Sequence, residues 1–176
     1  WDTDSYLVPR GVILNRDLSV IHPIDLDADN EIQEFIGHSW YKYTRGDDQG
    51  LHPFKGETEL NYTGPKPPFE HLDVENKYSW LKSPRWKGKP IEVGPLARVL
   101  MTYAKGHGQT KELVNSTRKT SDGPVTALFS TLGRTAARTL ESKILADSMQ
   151  GIFDSLMANI KAGDVRTFND QYWEPS

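Results

Sequence analysis

The N-terminal part of the chain alternates short apolar groups with turn-forming residues. Leu7-Val8 and Val12-Ile13-Leu14 predict one strand, and the segment from Leu18 to Ile24 predicts a second. Between them, Asn15-Arg16-Asp17 supplies residue types that favour a tight turn. The pattern therefore predicts a small sheet near the N-terminus.

The spacing of apolar positions changes between Asp29 and Tyr43. The positions that recur at helical intervals, and so share one face, are Ile32, Phe35, Ile36, Trp40 and Tyr43. Asp29 or Asn30 can accept hydrogen bonds from the free N–H groups of a first helical turn. The pattern predicts a helix over this segment.

The segment from Thr44 to Pro90 shows neither helical nor strand spacing. It is rich in glycine and proline, yet it also carries the large rings of Phe54, Tyr62, Phe69, Tyr78, Trp80 and Trp86. A flexible linker would have no means of burying so many aromatic side chains. The composition predicts a long ordered coil that packs against other parts of the protein.

Helical patterns return after Pro95. One helix is expected from Pro95, which suits the first turn, to Gly106, and a short second helix from Thr110 to Thr117. The longest pattern ends near Gly163, and its apolar positions are Leu128, Leu132, Leu140, Ile144, Leu145, Met149, Ile152, Phe153, Leu156 and Ile160. On this long amphipathic helix we expect four buried side chains, Leu140, Ile144, Phe153 and Leu156, and two exposed ones, Lys143 and Asp147.

These elements predict an α+β fold that is mainly helical, with a small N-terminal sheet, a long ordered coil and then helices. The chain has 176 residues, of which 36% are hydrophobic, so a modest core is expected. We expect residues 1–176 to be an internal portion of a larger subunit, without separate domains. The net charge of −3 provides no basic field for following a phosphate backbone, and no nucleic-acid partner is expected.

Cysteine is absent from the chain, and this limits its chemistry. Disulfides, thiolate nucleophiles and any sulfur-ligated metal held by this chain alone are excluded. The histidines are His22, His38, His52, His71 and His107, and no two of them are spaced one helical turn apart, as a helical metal site requires. Structural or surface roles are the favoured interpretation for all of them.

Some sequence motifs have simple structural explanations. Gly106-His107-Gly108-Gln109-Thr110-Lys111 lacks the glycine spacing of a phosphate-binding loop, and a helix end followed by a turn explains it better. Asn61-Tyr62-Thr63 and Asn115-Ser116-Thr117 match the glycosylation sequon, which also occurs by chance. None of these motifs predicts a function.

Arginine and aromatic residues offer two binding hypotheses. Arg134 and Arg138 lie one helical turn apart and, like Arg85 and Arg98, could hold an anion, although an intrachain salt bridge is the favoured interpretation. The run from Tyr78 to Trp86 could form a stacking platform for bases or sugars. The neighbouring charges are balanced, namely Lys82, Arg85, Lys87 and Lys89 with Glu75 and Glu92. We therefore expect the stretch from Pro84 to Arg98 to serve internal packing.

A specific resemblance lies in the stretch from Tyr78 to Arg98. Tyr78-Ser79-Trp80-Leu81-Lys82-Ser83-Pro84-Arg85-Trp86-Lys87-Gly88-Lys89-Pro90 and Glu92-Val93-Gly94-Pro95-Leu96-Ala97-Arg98 resemble the large, catalytic subunit of nickel–iron hydrogenases. Three further stretches are similar to that family in order and approximate spacing: Pro9-Arg10-Gly11-Val12 with Asp17-Leu18, His38-Ser39-Trp40-Tyr41 with His52-Pro53, and Ser130-Thr131-Leu132-Gly133-Arg134-Thr135-Ala136-Ala137-Arg138. The membrane-associated, respiratory uptake type is the one that the chain most resembles.

The resemblance implies a parent hydrogen:acceptor oxidoreductase, which reversibly oxidises H2 to protons and electrons. In that family two Cys-x-x-Cys pairs bind nickel and an iron carrying cyanide and carbonyl ligands, and soft thiolates suit nickel. Because this chain has no cysteine, no catalytic, cofactor-binding or metal residue can be carried over to it. A scaffold portion, inactive by itself, is therefore expected; the alternative is a self-contained aromatic-rich binding module without catalysis.

The resemblance also implies the surroundings of the parent enzyme. Its partner would be an iron–sulfur small subunit, and its location the periplasmic face of the bacterial inner membrane. We expect no membrane span in this chain, because no apolar run approaches the ~20 residues that a spanning helix needs.

Overall fold

A computed structural model of the protein describes residues 7–45, 50–64, 73–121 and 123–166. The chain forms two compact units, Trp1–Gly106 and His107–Ser176. Over these ranges the first unit combines small antiparallel sheets with one helix, and the second is helical. A mixed α+β fold was predicted, and this class is confirmed.

The described residues of the first unit form five short strands, β1 (Ile32–Phe35), β2 (Tyr41–Tyr43), β3 (Thr58–Leu60), β4 (Ser83–Trp86) and β5 (Lys89–Pro90). One sheet has the order β1-β4-β5, the other pairs β2 with β3, and every pairing is antiparallel. The predicted helix from Asp29 to Tyr43 is therefore wrong, since that segment forms β1 and β2. Its local spacing suited a helix, but pairing with distant strands decides the conformation.

The predicted coil from Thr44 to Pro90 also needs correction. Where the structure describes it, the segment contains β3, β4 and β5, and these supply the partners of β1 and β2. Pro84 conceals β4 in the sequence, because proline is disfavoured inside strands. Residues 65–72, which carry several of the prolines, lie outside the described part.

The predicted N-terminal strand pair is reduced to one bridge. Val12 and His22 exchange both backbone hydrogen bonds, at 2.9 and 2.8 Å. Asn15 and Arg16 form the turn between them, each with a positive φ, 54° and 62°. The turn prediction thus holds, whereas no extended strand forms on either side of it among residues 7–26.

Helix α1 (Pro95–Ala104) follows the prediction closely. Pro95 occupies its first turn, and the buried side chains are Leu96, Val99, Leu100, Met101 and Thr102. A Cβ added to Gly11 would stand 2.6 Å from the Ile21 side chain and 3.1 Å from the Met101 sulfur. Glycine at this position therefore lets the N-terminal turn region approach α1 closely.

The second unit contains α2 (Gly108–Ser121), a 3₁₀ turn (Val125–Leu128) and α3 (Thr131–Lys161). The predicted short helix from Thr110 to Thr117 is longer than expected. Helix α2 packs against α3, and Gln109 donates a hydrogen bond of 2.7 Å to Asp147. Val114, Leu140 and Ile144 are buried in this unit.

The start of α3 is defined by Ser130 and Gly133. The Ser130 hydroxyl accepts a hydrogen bond of 3.0 Å from the Gly133 N–H, which is an N-cap arrangement. A Cβ on Gly133 would lie only 2.1 Å from the carbonyl oxygen of Leu128. Glycine is required here because backbone from the 3₁₀ turn occupies the space of a side chain.

The prediction for the long helix is half right. Leu140 and Ile144 are buried while Lys143 and Asp147 are exposed, but Phe153 and Leu156 remain 55% and 53% exposed. At 3.6 residues per turn, these two side chains point to the opposite side of the helix from Leu140 and Ile144. The apolar positions therefore form two faces, not the single stripe that was expected.

None of the helices in the described ranges combines the length and the apolar character needed to cross a membrane.

Candidate functional site

A two-residue turn shapes the hairpin Ser83–Pro90, which consists of β4, the turn and β5. Lys87 and Gly88 occupy the turn with φ of 49° and 74°. Positive φ at both central residues is the type I′ geometry, whose twist matches that of the flanking strands. β4 also pairs with β1, and Trp86 lies opposite Ile32. Strand β4 is thereby paired on both of its sides, with β1 and with β5.

Glu31 anchors this hairpin. Its carboxylate pairs with the Lys87 ammonium at 2.7 Å and accepts a hydrogen bond from the Trp86 indole at 3.4 Å. The backbone N–H of Asp25 donates to the same carboxylate at 3.0 Å. Lys87 additionally donates its backbone N–H to the Glu31 carbonyl at 2.9 Å. One acidic residue therefore joins a loop, a strand end and a turn.

The hydrogen bond from Lys87, followed by the backbone hydrogen bond from Asp25, lowers the pKa of Glu31, and burial opposes the shift. Both donors favour the charged carboxylate because they bind it more strongly than its protonated form. Glu31 is consequently charged at neutral pH, and the anchor is complete under those conditions.

Three basic side chains of the stretch from Tyr78 to Arg98 have partners within the chain, namely Lys82, Arg85 and Lys87. Lys82 pairs with Glu34 at 3.3 Å, and the Arg85 guanidinium lies 5.2 Å from the ring centroid of Phe35. The Lys87 ammonium lies 4.9 Å from the Trp86 ring, and Trp86 itself is only 6% exposed. These contacts agree with the expected packing role.

The segment just before the hairpin is held to the β1–β2 connection. Trp40 donates its backbone N–H to Ser79 at 2.8 Å, and Tyr78 donates to His38 at 2.9 Å. Lys77 donates to the carbonyl oxygens of Ile36 and Tyr41, at 3.2 and 2.7 Å. The Lys77 ammonium thus bridges two carbonyl oxygens, and that of Ile36 also accepts the Ser39 N–H at 2.9 Å.

Trp80 is much more exposed than Trp86. It stacks on Tyr62, with ring centroids 5.4 Å apart and planes 9° apart, and it meets Trp40 edge-on at 4.9 Å. Trp80 is 47% exposed, and Tyr62 is exposed as well. Within the described ranges the buried indole N–H of Trp40 has no hydrogen-bond partner. The stacking platform was the less favoured interpretation of this run, and the exposed rings at this place are the single pair Trp80 and Tyr62.

The histidines do not converge. His52 is buried, its Nδ1 accepts a hydrogen bond of 3.2 Å from the Phe54 N–H, and its Nε2 has no partner in the described part. His22 packs against Trp86. The Nδ1 of His107 accepts a hydrogen bond of 3.4 Å from the Thr110 N–H, at the start of α2, and lies 2.8 Å from the Thr110 hydroxyl oxygen. His71 lies outside the described residues. Across the ranges that the structure covers, no group of three or more candidate ligands could hold a metal ion.

The arginines that were considered as anion ligands are divided between the two units. Arg134 and Arg138 are exposed one turn apart on α3, whereas Arg85 and Arg98 belong to the first unit.

The segment from Gly106 to Lys111 has the expected structural explanation. The His107 carbonyl accepts the Lys111 N–H at 2.9 Å, so His107 is the N-cap residue of α2. Gly106, with φ of 94°, follows the end of α1. The structural explanation of this motif is supported.

Sequence reasoning missed Glu31 and Lys77 as anchors. The partners of Lys77 lie 36 and 41 residues away, and Trp86 lies 55 residues from Glu31. The spacing of acidic and basic residues along a single sequence does not reveal pairs that are so far apart. The one available clue was Trp86-Lys87-Gly88-Lys89, where a Lys-Gly pair between alternating residues suits a tight hairpin turn.

The whole chain, residues 1–176, matches the family of nickel-dependent hydrogenases. The chain therefore belongs to this family. It is 48% identical to the uptake hydrogenase large subunit of Bradyrhizobium diazoefficiens, with 99% of this chain and 30% of that protein aligned. The uptake hydrogenase large subunit of Rhizobium leguminosarum is 47% identical, with 97% and 30% aligned.

A solved structure of the H2-activated [NiFeSe]-hydrogenase from Dm. baculatum shares the fold. The TM-score is 0.52 at 25% identity, and the match covers 97% of this chain and 30% of that chain. The chain thus spans about 30% of the length of the relatives it matches. The likeness supports the predicted family and gives no support to a self-contained aromatic module.

Proposed function

We propose that this chain is a scaffold portion of the catalytic subunit of a nickel–iron hydrogenase, whose parent enzyme reversibly oxidises H2 to protons and electrons. The observation that carries the proposal is the match to the nickel-dependent hydrogenase family over residues 1–176, in a chain without cysteine. Residues 1–176 are proposed to be an internal portion of one large-subunit domain. No residue of this chain is assigned a catalytic, cofactor-binding or metal-binding role.

The donor chemistry of this chain does not fit a nickel–iron centre. Nickel in such a site calls for soft thiolate ligands, and the chain has none. His52 offers a single unpartnered ring nitrogen among the described residues, and one imidazole does not make a ligand set. We therefore place the centre of the parent enzyme, with its cyanide and carbonyl ligands, on residues outside this chain.

The proposed role of the chain is to hold its part of the large subunit in a fixed conformation. Glu31, Lys87 and Trp86 fix the hairpin through an ion pair, an indole hydrogen bond and a buried ring. Contacts of this kind act on folding, because a buried ring and its hydrogen-bonded partner hold neighbouring elements together, and their loss lowers the yield of folded protein. We propose that the hairpin acts in this indirect way, without contact with the reacting atoms.

We further propose an iron–sulfur small subunit as partner, as the resemblance implies. The parent enzyme is proposed to be of the membrane-associated uptake type, at the periplasmic face of the bacterial inner membrane. The supporting observation is that the relatives at 48% and 47% identity are named uptake hydrogenase large subunits. No nucleic-acid partner and no membrane span within this chain are proposed.

The test uses the parent enzyme and separates yield from specific activity. Trp86→Ala should lower the amount of folded, nickel-containing enzyme, while H2 oxidation per bound nickel stays unchanged. Trp86→Phe is the matched control, because it keeps an aromatic ring in the buried site and loses only the indole hydrogen bond to Glu31. A tenfold or greater fall in H2 oxidation per nickel, at normal yield, would contradict a purely supporting role.

A further inference from the structure

Four electron-rich rings of the first unit are linked by ring contacts, and they are called here the ring cluster: Trp40, Tyr41, Tyr62 and Trp80. The ring centroid of Trp40 lies 4.9 Å from that of Trp80 and 5.0 Å from that of Tyr62. Trp80 lies 5.4 Å from Tyr62 and 5.8 Å from Tyr41. Because the chain has no cysteine, indole and phenol rings are the side chains that a one-electron oxidant attacks first. The cluster is therefore a place where an electron vacancy, or hole, can form and move between rings.

Backbone hydrogen bonds hold these rings at their distances. The Trp40 carbonyl accepts the Asn61 N–H at 2.8 Å, and the Trp40 N–H donates to the Ser79 carbonyl at 2.8 Å. Tyr62 and Trp80 directly follow these two partners in the chain, so main-chain contacts bring both rings to Trp40. Aromatic rings in contact exchange electrons quickly, because electron transfer slows steeply with distance. The cluster can therefore behave as one redox unit.

The surroundings of Trp40 suit a relay of holes. Trp40 is only 9% exposed, and its indole N–H has no hydrogen-bond acceptor in the described part of the chain. An oxidised indole is a radical cation, which becomes a neutral radical only when this N–H proton passes to a base. Without an acceptor the Trp40 radical cation keeps its proton, and burial disfavours its charge. It therefore regains an electron from a neighbouring ring instead of trapping the hole.

Trp86, which is also buried, differs from Trp40 on both counts. Its indole N–H donates to the Glu31 carboxylate at 3.4 Å, and that carboxylate can take the proton of an oxidised ring. Within the described ranges its ring neighbour is His22, whose imidazole is harder to oxidise than indole. A hole on Trp86 would therefore stay on Trp86.

Tyr62 has the environment in which a hole comes to rest. It is 60% exposed, so water can take the phenol proton as the electron leaves. At neutral pH this coupled loss makes a phenol easier to oxidise than an indole. Tyr41 competes less well, because it is half-buried and the Lys82 ammonium lies 5.5 Å from its ring centroid. That positive charge disfavours removal of an electron, although Glu34, the partner of Lys82, offsets it in part.

We propose that the ring cluster is a hole-transfer site, which moves a one-electron oxidation from Trp40 and Trp80 to Tyr62, where a soluble reductant repairs it. The oxidants concerned are one-electron oxidising radicals such as the carbonate radical anion. An oxidised indole that reacts further loses its ring structure and its packing, whereas a phenoxyl radical at the surface can be reduced again. The proposal goes beyond the proposed function and does not depend on it, because it uses contacts within this chain only.

Each step of this route transfers one electron. The carbonate radical anion takes an electron from an indole ring and becomes carbonate. The indole radical cation takes an electron from Tyr62, whose O–H bond breaks, and the proton passes to water. Ascorbate then supplies one electron and one proton, which restores the Tyr62 phenol and leaves the ascorbyl radical.

The first measurement is pulse radiolysis of the 176-residue chain in bicarbonate buffer, which generates carbonate radicals and follows indole and phenoxyl radicals by their separate absorption bands. We expect the indole signal to decay as the phenoxyl signal rises, with one rate constant that is independent of protein concentration. Ascorbate should then shorten the lifetime of the phenoxyl signal. A transfer rate proportional to protein concentration would show transfer between molecules and overturn the proposal, as would a phenoxyl signal that ascorbate leaves unchanged.

The second measurement maps stable oxidation products by peptide mass spectrometry without ascorbate, in the 176-residue chain and in the full-length subunit. In the wild type the products should lie at Tyr62 in preference to Trp40 and Trp80. Tyr62→Phe keeps the stacked ring and removes only the phenol, so the rise of the phenoxyl signal should be lost and oxidation of both indoles should increase. Tyr78→Phe is the matched control, because its ring packs on His38, outside the cluster, and neither readout should change.

Trp80→Phe tests the same route should Tyr62→Phe fail to fold. It removes one indole that supplies Tyr62 with holes, so the rise of the phenoxyl signal should slow and the product at Tyr62 should decrease. Oxidation of Trp86 is an internal control and should not change in either variant. Unchanged products in folded Tyr62→Phe, preferred oxidation of Trp40 in the wild type, or no product at Tyr62 in the full-length subunit would each contradict the proposal.

Discussion

The hairpin Ser83–Pro90 and the second half of α3 are both regular elements, but their side chains are satisfied in different ways. In the hairpin, Trp86 is buried and Lys87 is paired with Glu31 inside the same chain. In α3 beyond Asp147, large apolar side chains such as Phe153 and Leu156 face outwards. Regular backbone structure therefore does not show whether a segment finds its packing partners within the chain.

The difference has a physical origin. A strand forms its backbone hydrogen bonds with another strand, so β4 exists only where β1 and β5 are present. A helix forms them internally, so α3 can continue past the end of α2 without tertiary cover. The hairpin is therefore stabilised by contacts within this chain. The second half of α3 forms without such contacts, and its large apolar side chains stay exposed in this chain.

The largest expected effect is at Trp86. Trp86→Ala should lower the free energy of unfolding by about 3 kcal/mol or more, because it empties a buried aromatic site and removes the indole donor to Glu31. Trp80→Ala is the matched control and should cost clearly less, since Trp80 is half-exposed. Urea unfolding of the 176-residue chain measures both. Equal losses would mean that burial does not distinguish the two rings.

The two glycines of α3 should respond with opposite signs. Gly133→Ala should destabilise the chain by about 1–3 kcal/mol, because the new Cβ collides with the Leu128 backbone. Gly151→Ala should stabilise it by about 0.5–1 kcal/mol, because the methyl group enters open space and alanine favours the helix. Thermal unfolding followed by circular dichroism gives both values. A loss for Gly151→Ala in the isolated chain would show that its surface is already covered.

The smallest effect concerns Glu31 and is visible as a dependence on pH. The folded-state pKa of Glu31 is lowered, chiefly by Lys87, so its contribution to stability is present above the unfolded pKa and is lost as the pH falls through the folded pKa. The wild-type chain should therefore lose more stability than Glu31→Gln on acidification from about pH 6 to pH 3. Parallel acid-unfolding curves for the two proteins would argue against the anchor.

Local patterns predicted the helices and failed for the strands. Pro95 and the spacing after Gly123 marked α1 and α3, because a helix is encoded in neighbouring residues. β1 and β4 pair across about 50 residues, and that pairing overrode the helical spacing between Asp29 and Tyr43. The exposed half of α3 could not be foreseen either. The periodicity of a helix identifies its apolar face without saying which chain will cover that face.

The candidate site shows the same division. Resemblance carried by Tyr78 to Arg98 identified the family, and the balanced charges of the motif predicted its packing role. The contacts that perform this role, from Glu31 to Lys87 and from Lys77 to the carbonyl oxygens of Ile36 and Tyr41, join distant positions. They depend on strand register, which a single sequence does not specify.

The central claim is that this chain frames a metal centre without holding it. Its most direct test is nickel titration of the purified 176-residue chain by calorimetry, with H2-dependent dye reduction measured on the same sample. The account predicts no stoichiometric nickel binding and no H2 oxidation, because the chain offers no thiolate ligands. Tight binding of one nickel ion per chain, or any H2 oxidation by the purified chain, would contradict it.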